Sequence, residues 1–123
     1  MLSRVAVALL WVLHFLPLSL LAVIGNGLGS LLFRFAKKRR HIVNTNLALC
    51  FPELDEAARQ TLARKHFRVL GRSMLERSLF WWASRERLMR IVRVEGEEKV
   101  HALRAAGKPV MLLAPHFVGL DAG

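Results

Sequence analysis

The feature that most constrains this chain is a long apolar stretch near its N-terminus. Val5 to Ile24 carries no formal charge, and a helix of this length is about what is needed to cross a hydrocarbon core of ~30 Å. Pro17 should kink that helix, and Gly25-Asn26-Gly27 should interrupt it before the apolar run resumes. Residues 1–36 are therefore predicted to form a membrane anchor, either as a transmembrane helix or as an interfacial helix in one leaflet.

Most of the charge follows this stretch. The formal net charge is +10, nearly all of the 19 Lys and Arg residues lie beyond residue 33, and the first carboxylate is Glu53. Such a balance favours nucleic acid, an anionic membrane or an acidic protein as partner. Because the apolar stretch would hold these residues beside a bilayer, we predict a membrane partner and no nucleic acid. Lys and Arg next to a span tend to stay in the cytoplasm, which predicts a cytoplasmic location for everything after residue 36.

A cleavable signal peptide is the alternative interpretation of the apolar stretch, with Arg4 as its basic N-terminal region. The sequence has no convincing cleavage site of small residues, and a basic cluster would be an unusual start for an exported chain. Cys50 is the only cysteine, so no intramolecular disulfide and no multi-cysteine metal site is predicted. The spacing of the histidines outside the C-terminal motif implies no metal either.

Residues 37–88 are predicted to form a helical lead-in. A short helix over His41 to Leu49 should end at Phe51-Pro52, and Asp55 is a plausible N-cap for a long helix that runs to about Trp82. The apolar half of that helix is predicted to contain Ala58, Leu62, Phe67, Val69, Leu70, Met74, Phe80 and Trp81. The tryptophans of Trp81-Trp82 fit either core packing or an interfacial anchor.

The opposite half of the long helix carries a basic stripe, defined here as Arg64, Arg68 and Arg72, which lie at positions i, i+4 and i+8. One interpretation of the basic stripe is a solvated face. The other is a binding surface for anionic lipid head groups or for an acidic carrier protein.

The pattern changes in residues 89–123, where we predict the start of an α/β domain. Ile91 to Glu95 resembles a strand, Glu97 to Ala106 a helix that stops at Gly107, and Val110 to Ala114 a strand buried on both faces. Together they predict a right-handed βαβ unit.

His116 and Asp121 follow the second predicted strand. Reacting groups gather at the carboxyl ends of strands in open α/β sheets. A histidine there can accept a proton from a hydroxyl nucleophile when a carboxylate fixes its tautomer, and Asp121 is close enough in sequence to do so. The backbone at Gly119 is a candidate for part of an oxyanion hole. The alternative is a capping turn with a hydrogen-bonded histidine.

His116-Phe117-Val118-Gly119-Leu120-Asp121 matches the H-x-x-x-x-D/E signature of glycerolipid acyltransferases. Other segments, in the same order along the chain, resemble the lauroyl/myristoyl acyltransferases of lipid A biosynthesis. These segments are Arg39-Arg40, Asn46 to Leu54, His66-Phe67, Gly71-Arg72-Ser73, Glu76, Trp81-Trp82, Val94-Glu95-Gly96 and Leu112 to Phe117.

This resemblance implies an inner-membrane enzyme that moves a fatty acyl chain from acyl carrier protein to a hydroxyacyl chain of the anionic lipid A precursor. It implies His116 as general base, Asp121 as the group that orients it, and no cofactor or metal. Many members of the family have Glu at the position of Asp121, which preserves the role. Members of the family are longer, so the expectation is that the chain is truncated, with an incomplete acyltransferase sheet, and inactive alone.

Two alternatives remain open at this stage. A glycerophosphate or lysophosphatidate acyltransferase would use the same His/Asp chemistry, although the Asn46 to Leu54 and Trp81-Trp82 segments argue against it. A non-catalytic basic membrane-tethered protein would need no histidine with an aspartate five residues on.

Overall fold

The computed structural model describes residues 2–111 and residue 113, and helices account for most of them. The helices, in chain order, are α1 (Leu2–Leu13), α2 (Leu18–Phe35), α3 (Lys37–Cys50), α4 (Glu56–Trp82), α5 (Arg85–Ile91) and α6 (Glu97–Ala105).

The apolar N-terminus forms two helices that are separated at Pro17. The predicted proline kink is thus a complete break, because Pro17 supplies no backbone N–H and its fixed φ suits the start of α2. The predicted interruption at Gly25-Asn26-Gly27 is wrong, since α2 runs through these residues without a break. Within the described residues, α2 is the one helix long and apolar enough to cross a membrane, with a mean hydropathy of 1.6.

The long helix α4 begins where the sequence predicts. The Asp55 carboxylate accepts a hydrogen bond from the Ala58 amide at 2.7 Å, which satisfies one of the free N–H groups of the first turn. The helix ends at Trp82, also as predicted. The short helix α3 and the helix α6 are confirmed as well, and Gly107 adopts a positive φ of 68° just beyond α6, which suits its role as a stop signal.

Helices α2 and α4 pack antiparallel and contain the core of the described residues. One cluster joins Leu21 of α2 to Leu75 and Leu79 of α4. The other joins Phe33 to Ala63 and Phe67, and the two phenyl rings meet edge to face at 5.5 Å. The start of α2 contacts the end of α4, and the end of α2 contacts the start of α4. The two helices therefore contact each other over the full length of α2.

Between the two clusters the helices approach through small residues, here called the glycine contact: Gly25 and Gly29 of α2 and Gly71 of α4. A Cβ atom added to Gly25 would lie 2.6 Å from the Cα of Arg72, and one added to Gly29 would lie 2.6 Å from the Cα of Arg68. One added to Gly71 would lie 2.8 Å from the Cα of Gly29. Backbones at this distance leave no room for any side chain, so glycine is required at all three positions.

The predicted apolar half of α4 is therefore only partly right. Phe67 is buried as expected, but Val69, Met74 and Trp81 are exposed. The buried residues of α4 are five residues spaced four apart and one serine. They are Ala63, Phe67, Gly71, Leu75 and Leu79, with Ser78. The small residues Ala63 and Gly71 belong to the buried set because the helix axes are close. A prediction from the hydropathy pattern favours large apolar residues instead.

The predicted α/β fold is wrong for the described residues, which contain no strand. Ile91 belongs to helix α5, and Val92 to Glu95 form neither helix nor strand. Met111 and Leu113 of the second predicted strand are 94% and 92% exposed. A strand needs a neighbour for its backbone hydrogen bonds, and none of the described residues supplies one. An apolar run indicates a segment that is fit for burial and does not specify its partner.

Arg87 of α5 stabilises the turn between α1 and α2. Its guanidinium donates hydrogen bonds to the backbone carbonyls of His14 and Leu16, more than 70 residues earlier in the chain. These carbonyls are free because the helix breaks at Pro17, and a fixed cation at the end of α1 also complements the helix dipole.

Replacing Arg87 with methionine should remove both hydrogen bonds while keeping a long apolar stem. Hydrogen bonds to a charged donor contribute about 1.5–3 kcal/mol each. Because partial exposure puts each bond at or below the low end, the expected loss of unfolding free energy for the pair is about 2–3 kcal/mol. Chemical unfolding in detergent measures it. Arg85→Met, on the exposed side of the same helix, is the matched control, and an equal loss in both variants would contradict the assignment.

Candidate functional site

The catalytic residues predicted from the sequence, His116 and Asp121, lie outside the described residues, as does Gly119. Their assignment stays a prediction. Within the described residues, no group of three or more histidine, cysteine, aspartate or glutamate side chains is placed to hold a metal ion.

The basic stripe of α4 lies within the described residues, and its members have different surroundings. Arg72 pairs with Glu76, whose Oε1 lies 3.2 Å from Nη2 of the guanidinium. The backbone of Arg72 packs against Gly25, as described above. The other two members point into a cleft between α4, α2 and the start of α3.

This cleft is called here the arginine cleft. It is lined by Phe33 and by Arg34 of α2, Arg40 of α3, and Arg64 and Arg68 of α4. The Cζ atom of Arg34 lies 6.0 Å from the ring centroid of Phe35. The larger part of the cleft has a volume of about 640 Å³ and is also lined by Gly27, Ser30 and Leu31. A smaller recess of about 100 Å³ adjoins it and is lined by Ser30, Phe33, Arg64 and Arg68.

Phe33 organises two of the four guanidinium groups. The Cζ atom of Arg64 lies 4.7 Å from the centroid of the phenyl ring, and that of Arg40 lies 5.3 Å from it. Arg40 also donates a hydrogen bond from Nη1 to the Phe33 carbonyl at 3.1 Å. Cation–π contacts and a backbone hydrogen bond therefore restrict both side chains before any ligand arrives.

No carboxylate in the described part of the chain neutralises the arginine cleft. The ion pairs resolved there join Arg59 to Glu56, Arg72 to Glu76 and Arg93 to Glu95, and none involves a cleft residue. Four like charges around one concave surface produce a positive potential that favours an anion.

The outer face of α2, opposite α4, is apolar and exposed. Val23 is 67% exposed, Leu31 56% and Phe35 70%. Helix α1 adds the exposed apolar side chains of Val5, Leu9 and Val12, and Phe15 is exposed in the turn after it. Exposed apolar side chains in such numbers mark an interaction with lipid or with another protein surface. Leu31 also lines the arginine cleft, so the apolar face and the cleft are adjacent.

Sequence reasoning identified Arg64 and Arg68 from their spacing on one helix but missed Arg34, Arg40 and Phe33 as members of the same site. The signal present in the sequence was the basic run beginning at Lys37, which was interpreted only as a flank of the membrane anchor. The tryptophans divide between the two predicted roles: Trp81 is 58% exposed, whereas Trp82 is half-buried beside His14, with ring centroids 6.3 Å apart.

Comparisons with known proteins agree with the resemblance found in the motifs. The profile of the family described as bacterial lipid A biosynthesis acyltransferase matches residues 2–123. A lipid A biosynthesis lauroyltransferase of Escherichia coli (strain K12) is 34% identical over 122 residues, which are 99% of this chain and 40% of the relative. A palmitoleoyltransferase of the same strain is 30% identical over 114 residues, 93% of this chain and 37% of the relative.

A lipid A biosynthesis myristoyltransferase of that strain is also similar, at 29% identity over 94 residues, which are 76% of this chain and 29% of the relative. The chain thus spans at most about 40% of the length of these relatives. No solved structure gives a significant match. Since the family profile covers all but the first residue, the chain belongs to the bacterial lipid A biosynthesis acyltransferase family.

Proposed function

We propose that this protein contributes to the transfer of a fatty acyl chain from acyl carrier protein to a hydroxyl group of the lipid A precursor. The observation that carries the proposal is the family match over residues 2–123, which includes the His116 to Asp121 segment. The printed names of the relatives, a lauroyltransferase, a palmitoleoyltransferase and a myristoyltransferase, all describe acyl transfer in lipid A biosynthesis.

In the proposed reaction, His116 accepts the proton of the acceptor hydroxyl while the oxygen attacks the thioester carbonyl. The new C–O bond forms, the C–S bond breaks, and the departing thiolate takes up a proton, for which the imidazolium is the source. Asp121 would hold the imidazole in the correct tautomer and stabilise its charged form. No cofactor or metal has a role in this scheme, and the attacking oxygen belongs to the substrate, so no acyl-enzyme forms.

The packing of α2 against α4 supports the interfacial form of the membrane anchor over the transmembrane form. Gly25 and Gly29, near the middle of α2, lie against the backbones of Arg72 and Arg68. If α2 crossed a bilayer in this pairing, both arginines would sit near the midplane, at a cost of about 2.5–3.5 kcal/mol each on the insertion scale. With α2 in the plane of the membrane, its apolar outer face meets lipid and α4 stays on the water side.

This arrangement fits attachment to the inner membrane with α3, α4 and the catalytic residues on the cytoplasmic face, where acyl carrier protein is available. The Lys and Arg residues after position 33 would lie at the head-group level, each contributing about 1 kcal/mol of attraction to anionic lipid. Helix α1, with Trp11 49% exposed, would extend the same interfacial surface.

The acceptor distinguishes this proposal from glycerophosphate or lysophosphatidate acylation. The protein is incubated with acylated carrier protein and either lipid A precursor, glycerol 3-phosphate or lysophosphatidate, and products are resolved by mass spectrometry. We expect acylation of the lipid A precursor at least about 100-fold faster than of the other acceptors, since a site that recognises one acceptor's polar groups discriminates strongly against others. Preferential acylation of lysophosphatidate would refute the proposal.

A further inference from the structure

The arginine cleft concentrates charge beyond what membrane attachment needs. Basic residues that merely attract a bilayer can be spread over a surface, since their contributions are nearly independent of geometry. Here four arginines from three helices line one cleft, and two of their guanidinium groups, those of Arg40 and Arg64, lie over the ring of Phe33. Folding brings Arg34 and Arg40 next to Arg64 and Arg68 despite their mutual repulsion, and the described residues supply no carboxylate to relieve it.

The chemistry of the cleft suits a phosphate group. A guanidinium presents paired N–H donors that match two phosphate oxygens, and such charge-assisted pairs are stronger than neutral hydrogen bonds. Arg40 and Arg64 are already positioned by Phe33, so less side-chain entropy is lost when an anion binds. The side chains of Arg34 and Arg68 are exposed and line the same cleft, where they can add donors to a bound anion.

The position of the cleft indicates what carries the phosphate. Leu31 lies both in the cleft lining and on the exposed apolar face of α2. A ligand with its phosphate among the arginines would therefore extend an attached apolar chain along the outer face of α2. A water-soluble phosphate would gain nothing from that neighbour. An acidic protein would present carboxylates but no acyl chain to lie along the apolar face of α2.

We propose that the arginine cleft binds the phosphate of an anionic lipid, with a phosphomonoester preferred over a phosphodiester because it carries the higher charge. Occupancy of the arginine cleft is measured by binding and not by acyl transfer, so the proposal stands or fails independently of the proposed function. A lipid held there would fix the depth and orientation of the α2–α4 pair at the membrane surface.

The test uses the whole 123-residue chain in a neutral sugar detergent, labelled with a fluorophore at Cys50, the only cysteine, which is exposed on α3. Dioctanoyl phosphatidate, dioctanoyl phosphatidylglycerol, dioctanoyl phosphatidylcholine and inorganic phosphate are titrated separately. We expect phosphatidate to bind most tightly and phosphatidylcholine not to bind. Inorganic phosphate binding as tightly as phosphatidate would overturn the lipid assignment.

Two double variants of equal charge separate a site from general attraction. Arg34→Gln with Arg64→Gln removes two cleft cations, and Arg85→Gln with Arg104→Gln removes two exposed cations on α5 and α6. The cleft variant should weaken phosphatidate binding by about tenfold or more, as expected for loss of charge-assisted hydrogen bonds, and the control by less than about twofold. Equal weakening in both would overturn the proposal.

Because Arg64 stacks on Phe33, a third variant guards against misfolding. Arg34→Gln with Arg68→Gln leaves both ring contacts intact and should still weaken phosphatidate binding by about tenfold, with an unchanged helical circular dichroism spectrum. Unchanged phosphatidate binding in this variant would contradict the proposal. The proposal would also be contradicted if purified acyl carrier protein bound the cleft variants more weakly while phosphatidate bound them as before. The cleft would then be a protein-docking site.

Discussion

Replacing Gly29 with alanine is expected to separate α2 from α4 and to destabilise the described fold more than any other single methyl group added to it. The new Cβ would lie 2.6 Å from the Cα of Arg68 and closer still to the Phe67 carbonyl. Backbone atoms of a helix cannot move aside as a flexible side chain can, so the axes must part. Overpacking costs typically 1–3 kcal/mol, occasionally more, and a backbone clash places this substitution at or above about 3 kcal/mol.

Gly27→Ala is the matched control, because it lies in the same helix two residues away and nothing lies within 4 Å of its added Cβ. Alanine favours the helix over glycine by about 1 kcal/mol, so Gly27→Ala should be neutral or stabilising. Both variants are unfolded chemically in the same detergent. If Gly29→Ala were as stable as Gly27→Ala, α2 and α4 would not be in close contact. A transmembrane α2 would then no longer place Arg68 and Arg72 near the midplane of the bilayer.

Features set by neighbouring residues were predicted from the sequence. The Asp55 cap, the extent of α4 and the stop at Gly107 each depend on a few adjacent residues, and each is confirmed. The interruption predicted at Gly25 to Gly27 failed because helix propensity is a weak local effect, of about 1 kcal/mol per glycine. The packing that those glycines permit against α4 outweighs it.

Features that depend on distant residues were not predictable in the same way. The strand prediction over Ile91 to Glu95 rested on apolar content alone, and a strand exists only with a hydrogen-bonded neighbour. The arginine cleft likewise joins residues from α2, α3 and α4, and no spacing within one helix reveals that Arg34 and Arg40 meet Arg64. Sequence reasoning identified the basic stripe; only the packing around Phe33 shows which of its members share a site.

Replacing His116 with alanine is expected to reduce acyl transfer to the lipid A precursor by about 10²- to 10⁴-fold, the usual contribution of a general base. The effect should fall on kcat, because in the proposed mechanism the imidazole acts on the reacting hydroxyl and adds little to ground-state binding. Membrane association, measured by flotation with vesicles, should be unchanged, since it is proposed to depend on helices α1 and α2. A variant that keeps full activity would support a non-catalytic role for this protein.

Asp121 offers a sharper test of the same mechanism, because two substitutions of similar size have opposite expectations. The side-chain amide in Asp121→Asn is uncharged, so it cannot stabilise the imidazolium as the carboxylate does. The rate should therefore fall nearly as far as in His116→Ala. Asp121→Glu keeps the carboxylate and should retain activity within about tenfold. Moving the hydrogen-bonding carboxylate costs less than removing its charge. Because Asp121 would act only through the imidazole of His116, the double variant His116→Ala/Asp121→Asn should be no slower than His116→Ala alone. Additive losses would mean that the carboxylate acts elsewhere, and the pair would not be a catalytic unit.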